Sequence, residues 1–130
     1  MDTQYRFGHI LGELEIDVMN IIWERGNAVS VREVVEALSG KRKIAYTTVM
    51  TIMGRLVTKG ILKQEPQGRA FVYKAVYTKD SFLAKATKQI VKNLASNFGD
   101  MAIAHFVKEV EKIPLEKRER LLEILDEKEE

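Results

Sequence analysis

The residues able to do chemistry are few. Two histidines, His9 and His105, lie far apart, and no carboxylate pair or nucleophile-and-base arrangement accompanies them as acid-base catalysis requires. Cysteine is absent, which excludes disulfides, thiolate metal sites and cysteine nucleophiles, and two distant histidines do not make a metal site. No glycine-rich phosphate loop occurs. The sequence thus offers no catalytic residue, no metal site and no cofactor motif, and reads as a protein that is not an enzyme. What it does hold is a set of short hydroxyls, Thr47, Thr48, Thr51 and Thr58, just downstream of Lys41, Arg42 and Lys43. Hydroxyls both donate and accept hydrogen bonds, and lysine and arginine bind phosphate. Together they suit a polyanion whose edges offer donors and acceptors.

The hydroxyls belong to the stretch Ala45 to Lys59. Val49, Ile52, Met53, Leu56 and Val57 fall at i, i+3, i+4, i+7 and i+8, the apolar stripe of a helix that buries one side. The opposite side collects Thr47, Thr48, Thr51, Gly54, Arg55 and Thr58, with Met50 at its edge and Arg55 as its single charge. A solvated face ordinarily carries several lysines and glutamates; this one is uncharged enough to approach another surface closely. The expectation is a helix that reads DNA in the major groove. Its N-terminus adds free amides and a dipole to the three cations upstream, a place for phosphate.

The net charge of the 130-residue chain is only +2, but its distribution is uneven. From Lys41 to Lys74 the bases Lys41, Arg42, Lys43, Arg55, Lys59, Lys63, Arg69 and Lys74 face the single acid Glu65, whereas the end of the chain is acidic at Glu127, Glu129 and Glu130. A localised basic middle points to a localised polyanion site. No run of about 18 apolar residues is present, and the N-terminus lacks the basic-then-apolar pattern of a signal peptide. A soluble, cytoplasmic protein is expected.

Around the reading helix the other elements follow in order. Residues 1–9 have no periodicity and are expected to form a flexible lead-in, from which Tyr5, Arg6, Phe7 and His9 could touch DNA. From Leu11 a helix carries Leu14, Val18, Ile21 and Ile22 on one face, with Met19 and Trp23 beside it, and Gly26-Asn27 stops it. Ser30 caps a second helix, Glu33 completes a capping box, and Val31, Val34, Val35 and Leu38 form its apolar face. The link to the third helix is short, as in a helix-turn-helix unit. After Gly60 the period changes from 3.6 to 2, and two strands around Pro66-Gln67-Gly68 read as a β-hairpin. A hairpin directly after a reading helix is the wing of a winged helix. Lys63 and Arg69 sit near its turn, placed to lean on phosphate; together with Lys41, Arg42, Lys43 and Arg55 they make the expected phosphate-binding set.

A second composition begins at Thr78. A helix capped by Thr78 or Asp80 carries Phe82, Leu83, Ala86, Ile90, Val91 and Leu94, and Ser96-Asn97 is expected to interrupt it. Phe98 to Val110 forms another, with Met101, Ile103, Phe106, Val107 and Val110 spread over more than one face, and Pro114 opens a last helix with Leu115, Leu121, Leu122, Ile124 and Leu125. About 50 residues in three helices bury too little of their own surface, so a second copy is the expected cover. Phe82, Leu83, Ile90, Leu94, Phe98, Met101, Ile103, Phe106, Val107, Val110, Leu121, Leu122 and Leu125 are the candidate dimerisation residues. The expected organisation is mainly α with a small β-hairpin wing: a winged helix-turn-helix domain at residues 1–77 and a three-helix dimerisation tail at 78–130.

The segments LGELEIDVMNIIW, VSVREVVEAL and AYTTVMTIMGRLVTKGIL, a short wing and a three-helix tail resemble the BlaI/MecI family of penicillinase and methicillin-resistance repressors. The resemblance runs from Leu11 to about Leu125, and YTTVMT with the downstream RLxxKG is its most specific part. It implies a bacterial homodimeric winged-helix repressor of transcription on a dyad operator in double-stranded DNA. Carried over residue by residue, it implies base contacts from Tyr46, Thr47, Thr48, Met50 and Thr51, with Arg55 and Lys43 near the phosphates. It also implies a membrane sensor protease, or another regulatory protease, that relieves repression by cutting an Asn-Phe bond in the dimerisation region. Here the matching bond by distance from the last helix is His105-Phe106, where asparagine is replaced, while the true Asn-Phe pair is Asn97-Phe98, one loop earlier. Copper-responsive relatives carry a cysteine-rich C-terminal motif, which this sequence lacks.

Two other readings use the same residues. Winged helices also serve as protein-interaction modules, and a dimeric scaffold without specific DNA binding is the alternative; the basic segment and the uncharged threonine face weigh against it, because a protein-binding helix more often shows aromatic and aliphatic anchors. A regulator that senses a small molecule, with its pocket in the groove between the wing domain and the tail, is the third.

Overall fold

The structure, a computed structural model, describes residues 11–129, and side chains as far as residue 127. The lead-in with Tyr5, Arg6, Phe7 and His9 lies outside the described residues. Helix α1 spans Glu13–Arg25. It starts after Leu11 because the Gly12 amide donates to Glu15 Oε1 at 3.0 Å, which closes its first turn, and it stops at Gly26, whose φ of 70° a side chain would strain. Helix α2 is Val31–Leu38. The expected capping box opens it: Ser30 Oγ accepts from the Glu33 amide at 3.1 Å, and the Ser30 amide donates to Glu33 Oε1 at 3.0 Å. Helix α3, Tyr46–Thr58, buries Val49, Ile52, Met53 and Leu56, while Val57 is half-buried.

Strands β1 (Leu62–Gln67) and β2 (Ala70–Ala75) pair antiparallel from Leu62 opposite Ala75 to Gln67 opposite Ala70. The turn is therefore Gly68-Arg69, one step later than the expected Pro66-Gln67-Gly68. Pro66 and Gln67 complete the first strand, and Gly68 takes the positive φ that a tight hairpin turn needs. Outside the hairpin, Val29 and Tyr73 exchange both backbone hydrogen bonds, at 2.9 and 2.7 Å. This single pair ties the α1–α2 link to the wing.

The buried side chains converge on one core. Val18, Met19 and Ile22 of α1, Val31, Val34 and Leu38 of α2, the α3 stripe, and Ile61, Leu62 and Tyr73 all pack into it. Helix α4, Lys79–Phe98, contributes Phe82, which is 6 % exposed and pairs its ring with Trp23 at 5.4 Å; the Trp23 indole donates to the Tyr77 carbonyl at 3.0 Å. Burying a phenylalanine contributes about 1.5 to 3 kcal/mol. Phe82, expected among the dimerisation residues, is therefore spent inside the chain's own core.

The chain divides into two compact units, with the division at Ile90 and Val91. It falls within α4, not at residue 78 where the composition changes, because the first turns of α4 are held by Trp23 and Phe82. The second unit holds the end of α4, helix α5 (Asp100–Glu111) and helix α6 (Leu115–Glu129). The break expected at Ser96-Asn97 comes instead at Gly99, whose φ of 75° ends α4 after Phe98. Serine and asparagine fit the last turn of a helix, and only the glycine takes the positive φ at no steric cost. Among the described side chains of α5 and α6, none is buried. The fold is mainly helical with a two-stranded hairpin, a winged helix at its N-terminal end.

Candidate nucleic-acid interface

The inward side of α3 is closed by the core, so its outward side is presented whole. Thr47, Thr48, Thr51, Gly54, Arg55 and Thr58 are all exposed, and Tyr46 and Met50 keep 50 % and 45 % of their surface in solvent. These are the base-reading positions expected from the sequence together with their neighbours, and the structure brings them onto one face. Gly54 leaves a bare patch of backbone at its centre, with nothing within 4 Å of where a Cβ would stand. A mid-helix glycine costs about 1 kcal/mol relative to alanine, and here it leaves the backbone of this face uncovered.

Two hydroxyls have fixed roles. Thr51 Oγ1 donates to the Thr47 carbonyl at 2.9 Å, and Thr58 Oγ1 donates to the Gly54 carbonyl at 3.2 Å. With its proton committed to the helix, Thr51 offers outward only oxygen lone pairs and a methyl group. At the start of α3 the N-cap is Ala45, which has no side chain to cap with; the Thr48 amide donates back to the Ala45 carbonyl at 3.1 Å, and Lys41 and Lys43 lie nearby in sequence.

The basic residues divide into two groups. Arg42 is paired with Asp17 at 2.9 Å and with Glu13 at 3.5 Å, and Lys59 with Glu15 at 2.8 Å. Lys41, Lys43, Arg55 and Arg69 form no ion pair within 4 Å among the described residues, and Lys63 has only a loose one to Glu65 at 3.9 Å. Arg69 sits in the hairpin turn itself, and Lys63 opposes Lys74 across the strands. Beside α3, a shallow cleft of about 570 Å³ has Glu13 and Glu15 on one wall and Thr47, Thr48, Thr51 and Arg55 on the other.

Glu15 is the tightest of the three acids. Burial pushes its carboxyl up, but the hydrogen bonds from Lys59 and from the Gly12 amide, with the charges of Lys59 and Arg55, outweigh that and hold it below the ordinary carboxylate value. Glu13, Glu15, Asp17 and Lys59 were not among the site residues expected from the sequence. The signal for them is a run of acids at alternate positions opening α1, in a chain whose next helices are flanked by cations.

The exposed apolar side chains lie largely in the second unit, where Phe98, Met101, Phe106, Val107, Leu121, Leu122 and Leu125 are all exposed, as are Leu83 and Ile90 earlier in α4. Val110 is exposed as well, and Leu94 and Ile103 are half-covered. His105 is exposed on α5, and among the described residues no cluster of histidine, aspartate and glutamate is placed to hold a metal ion. No described helix is long and apolar enough to cross a membrane.

Residues 11–127 match the penicillinase repressor family. The transcriptional regulator BlaI of Mycobacterium tuberculosis (strain H37Rv) is 39 % identical over 101 residues, which cover 77 % of this chain and 73 % of that protein. The methicillin resistance regulatory protein MecI of Staphylococcus aureus (strain N315) is 25 % identical over 118 residues, 91 % of this chain and 94 % of that protein. The solution structure of the DNA-binding domain of the repressor BlaI superposes with a TM-score of 0.50 at 29 % identity, covering 58 % of this chain and 89 % of that one. The winged helix, its exposed threonine face and a family match over nearly the whole chain lead to one statement: this chain belongs to the penicillinase repressor family.

Proposed function

We propose that this winged-helix transcriptional repressor acts as a homodimer on a palindromic operator in duplex DNA, with α3 in the major groove and the β1–β2 hairpin against the phosphate backbone. The observation that carries the reading is the composition of the α3 face: Val49, Ile52, Met53 and Leu56 are buried on its inward side, and its outward side has hydroxyls, a bare glycine and one arginine, with no acid. Tyr46, Thr47, Thr48, Met50 and Thr51 are the base-reading residues. Because the Thr51 proton is committed to the helix, Thr51 accepts from an amino group of adenine or cytosine, or sets its methyl against that of thymine. Lys41, Lys43, Arg55, Lys63 and Arg69 serve the phosphates, whereas Arg42 reaches one only by leaving Asp17 and Glu13.

A second copy covers the apolar side chains that the second unit leaves in solvent, from Phe98 and Met101 to Leu121, Leu122 and Leu125. Two-fold symmetry then matches two half-sites spaced by about one helical turn. Footprinting the purified protein on the DNA upstream of its own gene tests this directly: two related protected half-sites are expected, with binding that weakens steeply as salt rises. Thr51→Ala weakens operator binding alone by about 1 to 3 kcal/mol, and Arg69→Gln weakens binding to every duplex and lowers the salt slope by about one unit. An absence of duplex binding at low salt would leave the protein-scaffold reading in its place.

Relief of repression by proteolysis is assigned here to Asn97–Phe98 in preference to His105–Phe106. The first bond closes α4 beside the Gly99 break, at a helix end, while the second lies inside α5, where a protease needs a locally unfolded helix. Co-expression with a membrane sensor protease, followed by fragment mass analysis, is expected to give a terminus at Phe98; a terminus at Phe106, or an uncut chain, counts against the assignment.

A further inference from the structure

A reading helix needs a fixed pitch as well as a fixed face. The apolar stripe of α3 settles which side points inward, yet a helix of 13 residues, about 20 Å long, can still pivot on an apolar bed. Two ion pairs grip it beyond its two ends. Before its first turn Arg42 Nη2 meets Asp17 Oδ2 at 2.9 Å, and at its C-cap Lys59 Nζ meets Glu15 Oε2 at 2.8 Å. Both acids stand on α1, and Glu15 is itself anchored, since its other oxygen accepts from the Gly12 amide and its side chain is only 14 % exposed. The same pairs have an electrostatic consequence. They occupy two cations of the basic segment, and Glu13 and Glu15 put negative charge on the wall of the cleft beside Thr47 and Thr51. Repulsion of the backbone common to all sequences is a way to raise discrimination at the expense of affinity.

We infer that Glu15 with Lys59, and Asp17 with Arg42, are specificity-determining positioning pairs: they fix the pitch of α3 and withhold two cations from the phosphate backbone, so that operator and non-operator DNA are held apart in affinity. The inference rests on the proposed reading of DNA by α3. The experiment is a fluorescence titration of the full chain against two duplexes, the footprinted operator and a shuffled duplex of the same composition, over a series of salt concentrations.

Glu15→Gln frees Lys59, so affinity for the shuffled duplex is expected to rise and its salt slope to steepen by up to one unit, while operator affinity falls. The operator-to-shuffled ratio drops about tenfold, the size of a single mismatched base pair. Lys59→Gln lowers the ratio with no rise in shuffled binding, because the cation is gone, and Lys59→Arg restores it. Asp17→Asn combined with Glu13→Gln, which removes both acids from Arg42, gives an independent answer at the other end of the helix without touching Glu15. A role confined to stability lowers both affinities together and leaves the ratio unchanged; that result, or a ratio that Lys59→Arg does not restore, overturns the inference. If the unsubstituted protein binds neither duplex, it is the DNA-reading proposal that fails; if it separates them and every variant keeps the same ratio, only the positioning role fails.

Discussion

The two units of this chain spend their apolar residues in opposite ways. In the first, α1, α2, α3, the hairpin, the start of α4 and the residues that flank and join them bury sixteen hydrophobic side chains among the described residues, and its exposed face at α3 is nearly free of aliphatics apart from Met50. In the second, α5 presents Met101, Phe106, Val107 and Val110 to solvent, α6 presents Leu115, Leu121, Leu122, Ile124 and Leu125, and no described side chain of either helix is buried. One unit buries a core of its own, with Ile16, Phe71, Val76, Leu83 and Ile90 left exposed at its edges; the other leaves its apolar residues in solvent, as the proposed dimer requires. A helix that is apolar on several sides is stable only when something covers those sides.

The sharpest way to break that contrast is to place a charge in the open unit. Phe106→Glu is expected to turn a dimer into monomers in sedimentation, and to lower operator affinity by 10²-fold or more because the second half-site is no longer reached intramolecularly, while the thermal transition of the first unit stays where it was. A variant that remains dimeric would move Phe106 out of the interface. The converse change is Met53→Ala, which removes a fully covered side chain from the closed unit. It should cost about 2 to 5 kcal/mol in denaturant unfolding, and far less if the core relaxes into the space.

A smaller effect separates the two faces of α3. Gly54→Ala should stabilise the helix by about 0.5 to 1 kcal/mol, since the added methyl meets nothing, yet weaken operator binding if the bare backbone lies against DNA. Stronger binding by the more stable variant would show that the patch faces solvent in the complex. The smallest effect is on pH. The Glu15 carboxyl is held lower in the folded chain than in the unfolded one, so its contribution to stability is complete above the ordinary carboxylate range and is lost as pH falls through the lowered value. Acid titration of the melting temperature should therefore show a limb that Glu15→Gln lacks.

Much of the closed unit can be read along the chain, because periodicity and capping are local. The α3 stripe at Val49, Ile52, Met53 and Leu56 follows from helical spacing, and the Ser30–Glu33 box from residues three apart. Features that depend on register or on distant pairing are not local. Pro66-Gln67-Gly68 has turn composition in either register, and only the pairing of Gln67 with Ala70 selects Gly68-Arg69. Ser96-Asn97 looks like a break, but the positive φ belongs to Gly99. The Val29–Tyr73 pair is one residue long and has no period to detect. Phe82 has the spacing of an outward-facing residue of a dimer helix, and it is the ring of Trp23, far away in sequence, that draws it inward. For the site itself, the threonine face and the basic lead-in are written in residue type, whereas the division of the cations into paired and unpaired depends on which acids α1 brings to Arg42 and Lys59.

The sole tryptophan makes the closed unit self-reporting. Trp23 donates its indole to the Tyr77 carbonyl and lies against Phe82, so its emission follows the seating of the first turn of α4 without any label. Far-ultraviolet circular dichroism, by contrast, sums over every helix of the chain. Followed together through a urea titration, the two signals would separate the melting of the first unit from that of the second in a single experiment.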